Sequence, residues 1–437
     1  MRLLLTGDLH IGRTSTRFRT GGVSELTSRS AWTRIVEAAL EWRCDAILLS
    51  GDVADQENGF WEAVGPLREG QERLAAAGIR TVAVAGNHDH SVLGRLADTL
   101  DPAHFTLLGR GGRWERLTLE REGTPVLHID GWSFPSGRVT DSPLEGYHLP
   151  PDRGVPTLGL IHGDLDAPGS VYAPLASAEL RAKPVEGWLL GHIHAPALHA
   201  GGAGGPWILY PGSPQALHPG ETGAHGVWMV EVTGGGVASP RLHPLSTTRY
   251  ESLQVDVGGI RDPEALEPHL LHTVTEAASR LLDESGDALR HLSLRLTLTG
   301  QTRIPEAIPG VLEALTRSEP EGILQVERVR IHLDGAGDAT VPHLDLEEAA
   351  AGPSALGTAA RLVLVLEGRR EPGAGERQEV EALVERTRSR LERLRRERVF
   401  QPLRSGAVTE LEAREHLRGE ARRLLGTLAS QTLETGA

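Results

Sequence analysis

Residues 2–12 read Arg2-Leu3-Leu4-Leu5-Thr6-Gly7-Asp8-Leu9-His10-Ile11-Gly12. The apolar run predicts a short buried strand, and the glycines around Asp8 and His10 predict a turn at its carboxyl end. Asp8 and His10 stand two apart, so in an extended segment their side chains leave the same side. A carboxylate and an imidazole presented together can grip a divalent cation. Taken alone, Asp-x-His is a weak signal that chance supplies often. Its meaning comes from what the chain does next.

Apolar residues at helical spacing (Leu26, Trp32, Ile35, Val36, Ala39, Leu40) predict a helix over 24–42 with Ser24 as its N-cap. A strand over 46–49 then runs into Ser50-Gly51-Asp52-Val53. A helix over 60–77 ends at Gly78, and a strand over 81–85 runs into Gly86-Asn87-His88-Asp89. Alternating strands and helices with polar residues at the strand ends predict an α/β domain whose site lies at the carboxyl edge of a sheet. From about residue 105, strand-like runs follow one another between Gly and Pro turns. Two of them end in histidines, at Ile161-His162-Gly163-Asp164 and Gly191-His192-Ile193-His194.

This first domain is expected to span 1–245, with Gly235, Gly236 and Pro240 in a linker. A small α+β domain is expected over 246–340 and a mainly helical region over 341–437. In the last, Val380, Val384, Thr387, Leu391 and Leu394 fall at alternating four- and three-residue steps of a helix over 376–399, a coiled-coil-like seam. Leu411, His416, Leu417, Leu424, Leu425 and Leu428 form a second amphipathic run. These helices either pack on their own domain or offer a docking surface to a partner's helices.

The totals set bounds. At 437 residues the chain is long enough for two or three domains. A composition of 39% hydrophobic and 24% charged residues is that of a soluble globular protein, and no apolar run approaches a membrane span. The start carries no secretory leader pattern. Cys44 is the only cysteine; it excludes an internal disulfide, fits a reducing cytoplasm and is read as a buried small side chain. A net charge of −14 argues against broad unaided binding to nucleic acid.

Together the strand ends offer Asp8 and His10; Asp52; Asn87 and His88; His162; and His192 and His194. Carboxylate, amide oxygen and imidazole, without thiolate, suit manganese, iron or zinc. The set exceeds one ion's needs and suits two ions sharing a carboxylate, an arrangement fitted to phosphoester hydrolysis. Each piece has an ordinary reading as a turn or a satisfied core histidine. The ordered repetition at successive strand ends does not.

Asp8-x-His10, Gly51-Asp52, Gly86-Asn87-His88-Asp89, His162 and Gly191-His192-x-His194 resemble the motifs of the calcineurin-like metallophosphoesterases, over about residues 1–245. Three further stretches are similar to the SbcD-type nuclease subunit of the SbcCD repair complex and its YhaO-like relatives. They are Leu4–Gly12, Tyr210-Pro211-Gly212-Ser213-Pro214 leading to Gly220-Glu221, and Leu294–Gly300. The resemblance implies a two-sheet sandwich flanked by helices, followed by a small α+β capping domain and a helical C-terminal region. It implies that Asp8, His10 and His194 hold one metal, that Asn87, His162 and His192 hold the other, and that Asp52 bridges them. His88 would face the scissile phosphate and protonate the leaving oxygen, with Asp89 orienting it.

The implied cofactors are two divalent ions, Mn2+ first, with Fe, Zn and Mg as alternatives. The implied activity is a DNA exo- and endonuclease in end repair, working in the cytoplasm as a homodimer with an SMC-like coiled-coil ATPase and no membrane. The competing readings are a phosphodiesterase of small nucleotides and a DNA-binding scaffold with an idle metal site. Trp132-Ser133-Phe134 is a candidate for stacking on DNA ends, against a core reading. His218 and His225 are candidates to line the site. His104, His128 and His199 carry no signal beyond surface or core.

Overall fold

The opening run forms strand β1 (Arg2–Thr6), with Leu3, Leu4 and Leu5 fully buried. The computed structural model describes all residues except 19–23, 56–58, 153, 202–204, 235, 317–323, 397–407 and 436–437. Gly235 of the expected linker and the end of the helix expected over 376–399 therefore lie outside the described residues.

Strands β2 (Ala46–Leu49), β3 (Arg80–Ala83) and β4 (Phe105–Leu107) extend from β1 in parallel, each beside the last. The chain then builds a second sheet from β5 (Glu115–Arg121), β6 (Thr124–Trp132), β7 (Thr157–His162), β8 (Gly187–Gly191), β9 (Ala197–His199) and β10 (Trp207–Tyr210). Its order is β9-β10-β8-β7-β6-β5. Strand β11 (Gly226–Thr233) returns antiparallel to β1 on its other side, and β12 (Arg241–Pro244) pairs with β11.

The unbroken apolar runs of β1 and β2 follow from burial on both faces. Leu4, Ile47, Leu49 and Ala83 face helices α1 (Ser28–Glu41) and α2 (Gly59–Ala76), meeting Trp32, Ile35, Val36 and Leu67. Leu3, Leu5, Leu48 and Val82 face the second sheet, meeting Leu127, Ile129, Leu158, Leu160 and Leu189. The layering is helix, sheet, sheet, the sandwich expected from the resemblance. Trp132 and Phe134 lie in a third cluster with Trp188 and Leu190, so the Trp132–Phe134 stretch is core and presents no stacking surface.

The helix expected over 24–42 is divided. Ser24–Leu26 is a single 3-10 turn, and the cap of α1 is Thr27, whose hydroxyl accepts from the Ser30 amide. The division has a use: the Ser28 hydroxyl, at the first turn of α1, donates to the His10 carbonyl at 2.7 Å and pins the loop after β1. Cys44 is buried, and burial pushes its thiol up to about 11, which leaves it inert.

The chain separates into two compact units, Met1–Leu253 with Thr273–Arg295 and Leu315–Gly335, and Gln254–His272 with Leu296–Ala314 and Ala336–Ala437. Beyond the sandwich, a four-stranded sheet takes the order Thr248–Asp256, His291–Thr299, Val329–Asp338, Leu324–Val326. In the second unit, helices Ala355–Leu366, Ala374–Arg396 and Glu410–Thr435 pack together. Val380 and Val384 bury against Ala413 and Leu417, while Ala360 and Val363 bury against Ala421 and Leu425. The front of the heptad-like seam thus serves the unit's own core; Leu394, Leu411 and Leu424 stay exposed. Among the described residues no helix is long and apolar enough to cross a membrane.

Candidate metal centre

The site forms where the strand ends of both sheets meet. Asp8 and His10 follow β1, Asp52 follows β2, and Asn87 and His88 follow β3. His162 closes β7, and His192 and His194 follow β8. The backbone leaves the strands sharply. Asp8, His10 and Asp52 adopt left-handed conformations with φ of 47°, 47° and 48°, and His192 has φ of 106°. Each such residue costs roughly 1–3 kcal/mol and persists only where its surroundings over-determine it. Here the Asp8 amide donates to the Gly51 carbonyl at 3.0 Å and the His10 amide to the Asp52 carbonyl at 2.9 Å, so the two loops hold each other. Gly51, at φ of 100°, leaves no room for a side chain: a Cβ would stand 2.7 Å from His162 Nδ1.

The ring nitrogens reveal what the site is built to hold. His162 Nδ1 lies 3.0 Å from the Ser50 carbonyl oxygen, which can only accept, so Nδ1 carries the proton. His162 Nε2 faces Asn87 Oδ1 at 3.0 Å and Asp52 Oδ2 at 3.5 Å. Three atoms, each able to ligate a metal, converge there. His194 repeats the arrangement: Nδ1 donates to Glu221 Oε1 at 2.7 Å, and Nε2 faces His10 Nε2 at 3.0 Å. Burial, with His194 beside it, holds His10 well below the usual histidine range, which favours its neutral form. Both clusters offer a divalent cation nitrogen and oxygen ligands within reach.

Among the described residues, two of the four groups close enough to hold an ion join Asp8 with His10 and His194, and Asp8 with Asp52 and His162; the others are His10 with Asp55 and His88, and His194 with His218 and Glu221. Asp52 Oδ2 stands between, 3.9 Å from His10 Nε2 and 3.5 Å from His162 Nε2. Burial pushes Asp8 up to about 6, against the pull of His162 and His194. Without a cation, two carboxylates would share a dry pocket at a steep cost. His192 lies beside these groups, its ring 5.4 Å from that of His162 and its Nε2 3.9 Å from Asp164 Oδ2. Its amide donates to both oxygens of Asp8, at 3.0 and 3.2 Å. Burial pulls its ring down to about 4.

His88 packs edge-on to His10 at 5.1 Å, and its side chain is 36% exposed. Asp89 does not meet it. The Asp89 carboxylate is fully buried and accepts from the Val53, Ala54 and Gly86 amides, tying the loops after β2 and β3 together. Burial and nearby Asp52 push it up to about 7. The carboxylate facing His88 is that of Asp55, whose Oδ1 lies 3.7 Å from His88 Nδ1 and whose Oδ2 is paired with Arg13. Asp89 is thus engaged by three backbone donors and does not face His88 as expected; the carboxylate nearest His88 is that of Asp55.

Glu221 is the other residue that sequence reasoning passed over. In sequence it stands only as part of a turn, and the fold buries its carboxylate behind His194. His218 is exposed and meets Glu221 Oε1 at 3.1 Å. His225 is buried against Ser213 and does not line the site. His128 meets Thr118 and Asp152, His104 meets Asp101, and His199 is exposed.

Residues 1–196 match the family described as calcineurin-like phosphoesterase. A Bacillus subtilis (strain 168) protein named uncharacterized metallophosphoesterase YhaO is 28% identical over 319 residues, covering 71% of this chain and 75% of its own. Two proteins named DNA double-strand break repair protein Mre11 also match. That of Methanopyrus kandleri is 27% identical over 292 residues, covering 61% of each chain. That of Haloferax volcanii is 25% identical over 306 residues, covering 65% of this chain and 62% of its own. The chain thus spans less than two thirds of the length of either Mre11.

Proposed function

We propose that this chain, which matches the calcineurin-like phosphoesterase family over residues 1–196, hydrolyses phosphodiester bonds in DNA with a dinuclear divalent metal centre of the kind that family uses. The observation that carries the hydrolase reading is the convergence of His162 Nε2, Asn87 Oδ1 and Asp52 Oδ2 beside Asp8, His10 and His194, with His88 open to solvent above them. Likeness to proteins named for double-strand break repair, reaching well past residue 196, supports DNA as the substrate.

In this reading Asp8, His10 and His194 hold one ion, Asn87, His162 and His192 the other, and Asp52 both. Manganese is the proposed occupant, since mixed oxygen and nitrogen donors in an open site suit it. When bound, two such ions activate a water and neutralise phosphate charge. The chain's own residues do the rest. Glu221 and Ser50 fix the tautomers of His194 and His162 so that each presents Nε2 inward. Asp55 faces His88 Nδ1 and leaves Nε2 to hydrogen-bond the phosphate and hand a proton to the leaving oxygen. Arg13 pairs with Asp55 and holds it in place.

A homodimer working with an SMC-like coiled-coil ATPase accounts for the net charge of −14, because the partner would supply much of the DNA affinity. The exposed faces of the helices Ala374–Arg396 and Glu410–Thr435, which carry Leu394, Leu411 and Leu424, are its proposed docking surface.

The test is cleavage of end-labelled linear duplex DNA with manganese, beside His88→Ala and Asp52→Asn, and a parallel assay on a chromogenic phosphodiester. Metal-dependent cutting lost in both variants is the expected result. Turnover of the small diester with no cutting of DNA, even with a co-expressed ATPase, would instead favour a phosphodiesterase of small nucleotides.

A further inference from the structure

A groove of about 430 Å3 opens between the loop after β1, the start of α1 and α2, lined by Arg13, Thr14, Arg29, Trp61 and Glu62 among others. Trp61 is 82% exposed. This indole is not a core side chain squeezed out by crowding. The buried stripe of α2 is Ala63, Leu67 and Leu74, and Trp61 lies about 200° around the helix from Ala63. The buried stripe of α1 is likewise complete in Trp32, Ile35, Val36 and Ala39. A large apolar ring that keeps most of its surface exposed at the wall of a cleft is suited to receive a further planar group.

Two guanidinium groups share that cleft. Arg29 is exposed and has no ion-pair partner among the described residues. Arg13 gives its Nε to Asp55, and its side chain remains 37% exposed. One carboxylate, Glu62, opposes them. In a chain of net charge −14, an aromatic face beside two arginines selects a planar ligand with negative charge. A nucleobase with its phosphate fits that description. The groove also adjoins the chemistry: Arg13 stands three residues after His10 and connects through Asp55 to His88.

We infer that this groove seats an unpaired nucleotide next to the scissile phosphodiester, with its base stacked on Trp61 and its phosphate held by Arg29 and Arg13. Both faces of a base inside a duplex are already stacked, whereas an unpaired base at a strand end is free to turn one face onto the indole. The inference rests on the phosphodiesterase reading and deepens it, giving that site a preference for frayed or single-stranded ends.

The test uses the full chain with manganese in a His88→Ala background, so that the probe survives, and follows binding of fluorescein-labelled oligothymidylate by anisotropy. Trp61→Ala is expected to weaken binding about tenfold, the worth of one stacked base, with Trp61→Phe recovering most of the loss. Arg29→Ala is expected to weaken binding and to lower the slope of log affinity against log salt by about 0.7, one phosphate contact on a single strand. Unchanged binding in both Trp61→Ala and Arg29→Ala would overturn the inference, whatever the enzyme does. Thymidine 5′-phosphate competing as well as the oligonucleotide would overturn the single strand as occupant. Chromogenic diester turnover by the unmodified protein reports on the metal centre separately. Turnover with groove variants that bind normally sinks the groove alone. No turnover, with binding that depends on Trp61, sinks the phosphodiesterase reading and leaves a nucleotide site.

Discussion

His194 Nδ1 and Glu221 Oε1 lie 2.7 Å apart, joining a strand-end imidazole to a carboxylate with 2% of its surface exposed. The other Glu221 oxygen accepts from the Leu217 amide at 2.7 Å and the Ser213 hydroxyl at 2.9 Å. Burial alone would raise this carboxyl and lower His194. The bond between them reverses both, holding Glu221 below its ordinary value and His194 above.

Glu221→Ala is expected to weaken divalent-ion binding at the site of His194 by about 10- to 100-fold, the usual cost of losing a carboxylate behind a liganding histidine. Calorimetric titration with manganese checks this. The ion on the His162 side should bind as before, and loss of both sites together would count against a local role. Glu221→Gln keeps an acceptor for Nδ1 and should fall between the two.

Asp55→Asn should lower kcat by about 10- to 100-fold with little change in KM, and His88→Ala by roughly 10²- to 10⁴-fold, the range for a positioned proton donor. Since Asp55 acts through His88, the double variant should be no slower than His88→Ala alone. Manganese stoichiometry by elemental analysis should be unchanged in each. Equal losses in Asp55→Asn and Asp89→Asn would not fit the geometry, because Asp89 is engaged only by backbone amides.

His332 gives stability a pH dependence distant from the metal centre. Burial, then His291 and Arg330, pull His332 down to about 4, and its Nε2 lies 3.2 Å from His291 Nδ1. A histidine whose folded value lies below its unfolded value of about 6.5 stabilises only while neutral. Its contribution is complete above about pH 6.5 and is lost as pH falls towards 4. Urea unfolding should therefore show stability dropping through that window, with up to about one proton taken up on unfolding, and His332→Phe should flatten the dependence.

Gly159→Ala is expected to destabilise the second sheet. A Cβ there would stand 2.1 Å from the ring of fully buried Trp188. Overpacking of this kind costs typically about 1–3 kcal/mol. A thermal melt should show a loss of several degrees with metal binding intact, whereas an unshifted melt would mean that the ring can move aside.

The strand-end ligands were legible because each sits where an apolar run stops and a glycine turn begins, a pattern that is local in sequence. The same locality explains the misses. Asp89 looked like His88's partner because it is next in the chain, but adjacent residues on a turn face different ways, and Asp89 is spent on amides. Asp55 meets His88 across two loops, and Glu221 meets His194 across 27 residues, so only the closed sandwich brings either pair together. Ser24 looked like a helix cap because it precedes the apolar spacing, whereas the chain uses Ser28 to pin the His10 loop and starts the helix at Thr27. The seam beginning at Val380 was real periodicity, and a neighbouring helix of the same unit covers part of it.

The two sheets contribute to the centre unequally in chemistry but jointly in space. Asp8, Asp52 and Asn87 leave one sheet, and His162, His192 and His194 leave the other. An ion shared by the two sets would act as a rivet through the sandwich. Saturating one site at a hundredfold excess over its dissociation constant adds about 2.7 kcal/mol to folding. Chelation should then loosen the grip between layers before it alters either layer, and a protease that ignores the loaded protein should find the ends of β7 and β8 first.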